Sequence, residues 1–172
     1  MHNSALIDKP VLILIGGAPG VGKTTLAASL NQVLPSSVWL DGDDLWRMDP
    51  FIVNDATKKM VLRHISYVLS SLLREDFQYV IFSWVMHEKS IRKQVLSSLD
   101  TDCYRLINIC LTCSDRELLK RITASPAKRN TELALDRLAT SIAEYPNNLD
   151  TTSMSPQEVL EHAQNLIGTI AL

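Results

Sequence analysis

The sequence predicts an α/β fold, a parallel sheet covered by helices on both faces, and three observations carry that expectation. Val11 to Ile15 (VLILI) is an unbroken apolar run, the pattern of a strand buried on both faces. Strand-like and helix-like patterns then alternate five times along the chain, as strands joined by crossover helices do. Between the first strand and the first helix stands a glycine-rich hinge, Gly16-Gly17-Ala18-Pro19-Gly20-Val21-Gly22, ending in Lys23-Thr24-Thr25.

Each element follows from its local pattern. After the hinge, residues 22–34 read as a helix, and SVWL (37–40) as a short second strand. From 54 to 73 the apolar residues Val61, Ile65, Val68, Leu69 and Leu72 recur at helical spacing, with Asn54 as cap. YVIFSWV (79–85) is a third buried strand, followed by a helix to about 99. YRLINICL (104–111) is a fourth strand. Ser114-Asp-Arg-Glu117 is a capping box that opens a helix to about Ile122, and a further helix spans about 131–143. A short strand lies near Leu149. Ser155-Pro-Gln-Glu158 opens the last helix, whose apolar face is Val159, Ala163, Leu166, Ile167 and Ile170. The segment 123–131, TASPAKRNT, is small, polar and basic and fits neither pattern.

Composition bounds the function. The 172 residues, 46% hydrophobic and 21% charged, suit one domain spanning 1–172 with a full core. A formal net charge of -2 gives no broad basic footprint, so nucleic acid is not an expected partner. No apolar run approaches the ~20 residues of a membrane span. The first ten residues lack the charge and apolar core of a secretion signal, so a reduced, cytoplasmic setting is expected. Cys110 and Cys113 form a C-x-x-C, the spacing of redox and metal pairs, but no second pair completes a zinc site. The simpler reading is two small residues at a strand end.

Gly17 to Thr24 fits G-x-x-x-x-G-K-[ST] in a strand–loop–helix context. Glycines let successive backbone N–H groups turn inward toward phosphate oxygens. The open N–H groups and the dipole of the helix start favour an anion there. Lys23 supplies a point charge for the outer phosphates, and Thr24 a hydroxyl for Mg²⁺. These residues read as a nucleoside triphosphate site.

The acids that serve it are not where a GTPase or a motor ATPase keeps them. No N/T-K-x-D guanine motif follows the fourth strand, and the third ends in Phe82-Ser83-Trp84 without a carboxylate. Three acids instead follow the second strand, in LDGDDLWR (40–47). The carboxyl ends of parallel strands share one edge with the phosphate loop, so Asp41 and Asp43 should face the phosphates. In an extended stretch both lie on one side. One can hold a metal-bound water, and the other can accept a proton from a substrate hydroxyl.

Over nearly its whole length the chain resembles the P-loop small-molecule kinases: shikimate, adenylylsulfate and gluconate kinases, chloramphenicol phosphotransferase and the nucleoside monophosphate kinases. The P-loop, the D-x-D of Asp41-Gly42-Asp43 and an L-x-x-R helix followed by a basic segment carry the resemblance. It implies a P-loop NTPase fold: three α/β/α layers, a five-stranded parallel sheet of order 2-3-1-4-5, and a lid at about 123–131. It also implies that Arg121 lies against the adenine or the lid phosphates, and that Arg129, beside Lys128, closes over the transferring phosphoryl group. Asp150-Thr151-Thr152 would border the base pocket, and Arg137 is a further candidate cation. The GD-x-L-R of nucleoside monophosphate kinases is approached in Gly42-Asp43-Asp44-Leu45-Trp46-Arg47 with one extra residue.

The expected activity is transfer of a phosphoryl group from ATP, with Mg²⁺, to a hydroxyl of a small molecule. Lys23, Asp43 and Arg129 are the catalytic candidates. Gly17, Ala18, Pro19, Gly20, Val21, Gly22, Lys23, Thr24, Thr25, Arg121 and Thr152 would bind the nucleotide, and Thr24 and Asp41 the metal. Asp44, Trp46, Arg47, Trp84 and His87 follow strands two and three and should line the acceptor pocket, with Met48, Phe51 and Ser83 nearby. Two tryptophans there suit an acceptor with a ring or apolar part. A nucleotide kinase would instead need Arg47 for an acceptor phosphate, and a non-enzymatic ATP-binding regulator would need no base. GTP as donor, and the choice between monomer and homodimer, stay open.

Overall fold

A computed structural model of the chain describes residues 9–127 and 129–171. The elements are β1 (Val11–Gly17), α1 (Lys23–Val33), β2 (Ser37–Asp41), a 3-10 turn (Gly42–Trp46), α2 (Asp55–Leu72), β3 (Tyr79–Ser83) and α3 (Lys89–Ser98). There follow β4 (Arg105–Thr112), α4 (Asp115–Ala124), α5 (Thr131–Glu144), β5 (Leu149–Asp150) and α6 (Pro156–Ala171). The five strands form one sheet of order β2-β3-β1-β4-β5, every pairing parallel. β1 is central, with every residue buried, as its unbroken apolar run requires.

Alternation along β1 splits the core in two. Val11, Ile13 and Ile15 pack with Leu26, Leu30, Leu118, Leu138 and Ala163 on one face. Leu12 and Leu14 pack with Val61, Ile65, Leu69, Phe82 and Val95 on the other. The expected caps form: Asn54 accepts from Thr57 N–H at 2.9 Å, Ser114 from Glu117 N–H at 3.3 Å, and Ser155 exchanges bonds with Glu158. No described helix is long and apolar enough to cross a membrane.

Three local expectations are corrected. The third strand ends at Ser83, not Val85: β2 ends at Asp41, opposite Ser83, and the pairing with β1 ends at Ile15, although β1 itself continues beside β4. One more bond, Trp84 N–H to Ile15 O at 3.1 Å, is made before the chain turns away. The helix after β4 continues to Ala124, so the segment between α4 and α5 is 125–130. Lys128 lies outside the described residues. Finally, the chain after β2 is not extended. Asp41 Oδ1 accepts from Asp43 N–H at 3.0 Å and caps the 3-10 turn, so alternation does not govern where Asp43 points.

Candidate active site

The loop between β1 and α1 is shaped by positions that only glycine fills without strain. Gly17, Gly20 and Gly22 have φ of 129°, 91° and 108°. A Cβ on Gly17 would stand 2.4 Å from the Leu111 carbonyl oxygen of β4, whereas one on Gly22 would meet nothing within 4 Å. The loop is thus clamped to the sheet at its start and open at its end. There α1 begins without any side-chain cap and without an acid in its first turn. Uncapped N–H groups beside open space form an anion site. Ala18 and Val21 are buried and anchor the loop, while Pro19, Gly20 and Gly22 are half-buried.

Lys23 opens α1 and folds back, its Nζ donating to Ala18 O at 2.8 Å. Burial lowers its pKa to about 8; the charges of Asp43 and Asp41 oppose the shift, and those of Arg129 and Arg137 add to it. Thr24 Oγ1 donates to Asp41 Oδ2 at 3.2 Å. The first turn of α1 and the end of β2 therefore bring together two hard oxygen donors beside the anion site. That donor set fits Mg²⁺, which takes one or two protein oxygens together with phosphates and water. Burial, then the neighbouring Asp41, raises the Asp43 pKa above the ordinary carboxylate value, while Lys23 and a hydrogen bond from Trp84 pull it down. An acid with a raised pKa beside a phosphate site is suited to proton abstraction.

On the α4 side of the loop lies a cavity of about 340 Å³, lined by Gly20, Val21, Gly22, Thr25, Leu26 and Leu111 and by Met154, just before α6, with Pro156 and Val159 of its first turns. Arg121 forms part of its wall and is fully engaged. It donates to Glu117 Oε1 at 2.9 Å, Val21 O at 3.2 Å, Thr151 Oγ1 at 2.9 Å and Thr151 O at 2.8 Å. Its guanidinium plane ties the P-loop to the segment after β5. Thr151 is a lining residue, but Thr152 is not among those that line the cavity. Thr152 Oγ1 instead accepts from Ser114 N–H at 2.8 Å and bonds Asp150. Glu117 was read from sequence only as part of a capping box and Val159 only as a core face, and Met154 was not singled out; none of them was expected to line this cavity. The Glu117–Arg121 i,i+4 spacing was a legible signal for the first.

On the acceptor side, Trp84 packs against the 3-10 turn, so that a Cβ on Gly42 would stand 2.5 Å from Trp84 Cγ. Trp46 faces Phe51 with ring centroids 6.2 Å apart, and Phe51 is exposed. His87 is largely buried, which lowers its pKa, so it is neutral at pH 7 with Nδ1 3.3 Å from Val85 O. Ser83 is buried and its hydroxyl accepts from Trp39 Nε1–H at 2.9 Å, which removes it from the pocket lining. Asp44 and Arg47 pair at 2.7 Å on the surface, the arginine side chain 81% exposed. Arg129 donates to Ser125 Oγ at 2.6 Å across the segment between α4 and α5. Cys110 and Cys113 are buried free thiols, and burial pushes Cys110 up to about 11, so neither behaves as a redox pair.

A central parallel strand that runs through an amide-lined glycine loop into an uncapped helix, within the order 2-3-1-4-5, defines the P-loop small-molecule kinase group. Residues 13–140 match the family described as an AAA domain, and the chain belongs to that family. A probable adenylyl-sulfate kinase of Aeropyrum pernix is 25% identical over 177 residues, covering 95% of this chain and 96% of the relative. Among solved structures, the tunicamycin resistance protein of Deinococcus radiodurans superposes with a TM-score of 0.72 at 22% identity, over 93% of this chain and 96% of that one. A gluconokinase of Sinorhizobium meliloti gives 0.71 at 18% identity, over 95% and 94%. At such identities the solved structures speak for the fold.

Proposed function

We propose that the protein transfers the γ-phosphoryl group of ATP to a hydroxyl of a small-molecule acceptor, with Mg²⁺. The observation that carries this reading is Asp43. Its carboxylate is held beside the P-loop by the 3-10 turn that Asp41 caps, partly desolvated and in the field of Lys23. A phosphate acceptor is already ionised at neutral pH and needs no such base. A hydroxyl acceptor does.

The acceptor O–H proton passes to Asp43 as its oxygen bonds the γ-phosphorus. The bond from that phosphorus to the β–γ bridging oxygen breaks, and ADP leaves. Lys23 and the amides of Gly20, Gly22 and Lys23 hold the phosphates. Thr24 and Asp41 would hold Mg²⁺, which neutralises charge on the phosphate oxygens. Arg129 approaches the transferring group from the segment between α4 and α5. Arg121 and Thr151 shape the 340 Å³ cavity for the base. A nucleotide kinase would instead need Arg47, which pairs with Asp44 on the surface, to turn toward an acceptor phosphate.

The test is acceptor-dependent ADP release with ATP or GTP and Mg²⁺. The acceptor panel includes gluconate and adenylyl sulfate, the acceptors named in its relatives, along with other hydroxyl compounds and nucleoside monophosphates. Turnover with a hydroxyl compound that is lost in Asp43→Asn supports the proposal. Turnover with nucleoside monophosphates alone overturns it.

A further inference from the structure

A second cavity, of about 10 Å³, lies at the β1–β4 pairing, walled by Gly16, Met86, Arg92, Asn108, Cys110 and Tyr145. It has room for a single oxygen-sized atom. Its position is set by register: Gly16 pairs with Cys110 one residue before Gly17 starts the P-loop. Met86, in the segment that follows β3 past Trp84, has its carbonyl oxygen 3.0 Å from where a Cβ on Gly16 would stand, and Cys110 lies in the field of Lys23, so the chamber sits close behind the P-loop.

One of its walls lacks the partner its chemistry requires, and a cation stands beside it. Tyr145 is 8% exposed, and its hydroxyl is buried with no hydrogen bond. Buried phenol hydroxyls are nearly always paired. The Arg92 guanidinium lies 5.0 Å above the Tyr145 ring and has no carboxylate partner among the described residues. The acids nearby are engaged elsewhere. Glu144 accepts the Lys89 N–H at 2.5 Å and so caps α3 from the end of α5. Glu88 accepts from Ser90 Oγ at 2.8 Å and its other oxygen lies 3.4 Å from His87 Nε2. A half-buried arginine and an orphan phenol thus face one oxygen-sized space.

We propose that this is an anion subsite of the acceptor cleft, in which Arg92 and Tyr145 bind a carboxylate of the acceptor. The inference rests on the hydroxyl-kinase reading for its link to turnover and names the acceptor class as hydroxy acids. One carboxylate oxygen fills the chamber and accepts from Tyr145 O–H; the other meets the Arg92 fork.

The test is a binding titration that needs no turnover. Acetate and benzoate, with acetamide and benzamide as neutral controls, are titrated into the whole protein saturated with ADP and Mg²⁺, which fill the P-loop. NMR follows the Arg92 side-chain N–H. Both carboxylates are expected to bind and shift that resonance, and the amides are not. Arg92→Gln is expected to weaken the carboxylates about tenfold, the loss of one charge-assisted hydrogen bond. Tyr145→Phe should weaken them by a smaller factor. Arg92→Lys, which keeps the charge but not the fork, should fall between wild type and Arg92→Gln. Equal binding of acids and amides, unchanged affinity in Arg92→Gln, or no carboxylate binding at all overturns the proposal, the last leaving the chamber to one water. If ADP with Mg²⁺ fails to bind, the kinase reading falls, and the same titration without nucleotide still judges the subsite.

Discussion

Raising the pH from 7 to 9 is expected to weaken nucleotide binding about tenfold, through Lys23 alone. In the free protein its pKa is about 8, lowered chiefly by burial. Its ammonium is therefore about nine-tenths populated at pH 7 and about one-tenth at pH 9. Phosphate oxygens beside the ammonium favour the charged form, so the bound state keeps its proton across this window. Affinity then tracks the protonated fraction of the free protein. The same linkage makes binding at pH 8.5 take up roughly three-quarters of a proton. The assay is calorimetric titration of a non-hydrolysable ATP analogue with Mg²⁺ in two buffers of different ionisation enthalpy. Lys23→Met should bind weakly and without this pH dependence. Constant wild-type affinity from pH 7 to 9, with no buffer-dependent heat, would refute a buried, partly deprotonated lysine at the phosphate site.

Three further outcomes are expected. Asp43→Asn should cut turnover at least ~100-fold while ATP still binds; in the wild type the acid limb of kcat should lie above the ordinary carboxylate range, because activity is lost as pH falls through a raised pKa. Arg129→Ala should lower kcat more than it raises KM for ATP, as loss of a cation engaged at the transition state does, and steady-state kinetics separate the two. Gly42→Ala drives a methyl group to 2.5 Å from Trp84 Cγ, so it should cost about 1–3 kcal/mol in denaturant unfolding and depress kcat by displacing the turn that carries Asp43. An unchanged midpoint and rate for that variant would mean the turn and Trp84 are not packed as described.

The P-loop was legible because its residues answer local demands. Gly17 sits under the Leu111 carbonyl, and Gly20 and Gly22 need positive φ, so the pattern survives without knowledge of the rest of the chain. Strand existence was equally local. Strand order was not: it came with the family resemblance, since periodicity says nothing about which strands become neighbours. The end of β3 was misplaced for a related reason. Its apolar run continues through Val85, but the strand ends where its edge partner β2 ends, opposite Asp41, and a residue pattern does not show where a partner ends. The 3-10 turn after β2 was missed because one side chain, Asp41, competes for the Asp43 N–H, a contest that alternation does not register. Arg92 and Tyr145 carried no signal at all, because they meet only when α3 and the end of α5 are brought together over β4.

The tryptophans give the chain its own optical reporter. Trp39 has its indole N–H fixed on the buried Ser83, on β2 and away from the 3-10 turn. Trp84 leans on Gly42, one residue before Asp43, and Trp46 closes the same 3-10 turn beside an exposed Phe51. Tryptophan emission that responds to a compound seated against the turn is expected chiefly from the two indoles on the acceptor side. A Trp39→Phe protein leaves those two as its tryptophans, excited selectively over the four tyrosines at the red edge of absorption. Its quenching or blue shift then reads out any compound that settles against the turn, whether or not it is phosphorylated, and Trp46→Phe and Trp84→Phe in that background show which wall it touches. Compound libraries can be sorted by fluorescence before a single turnover has been seen.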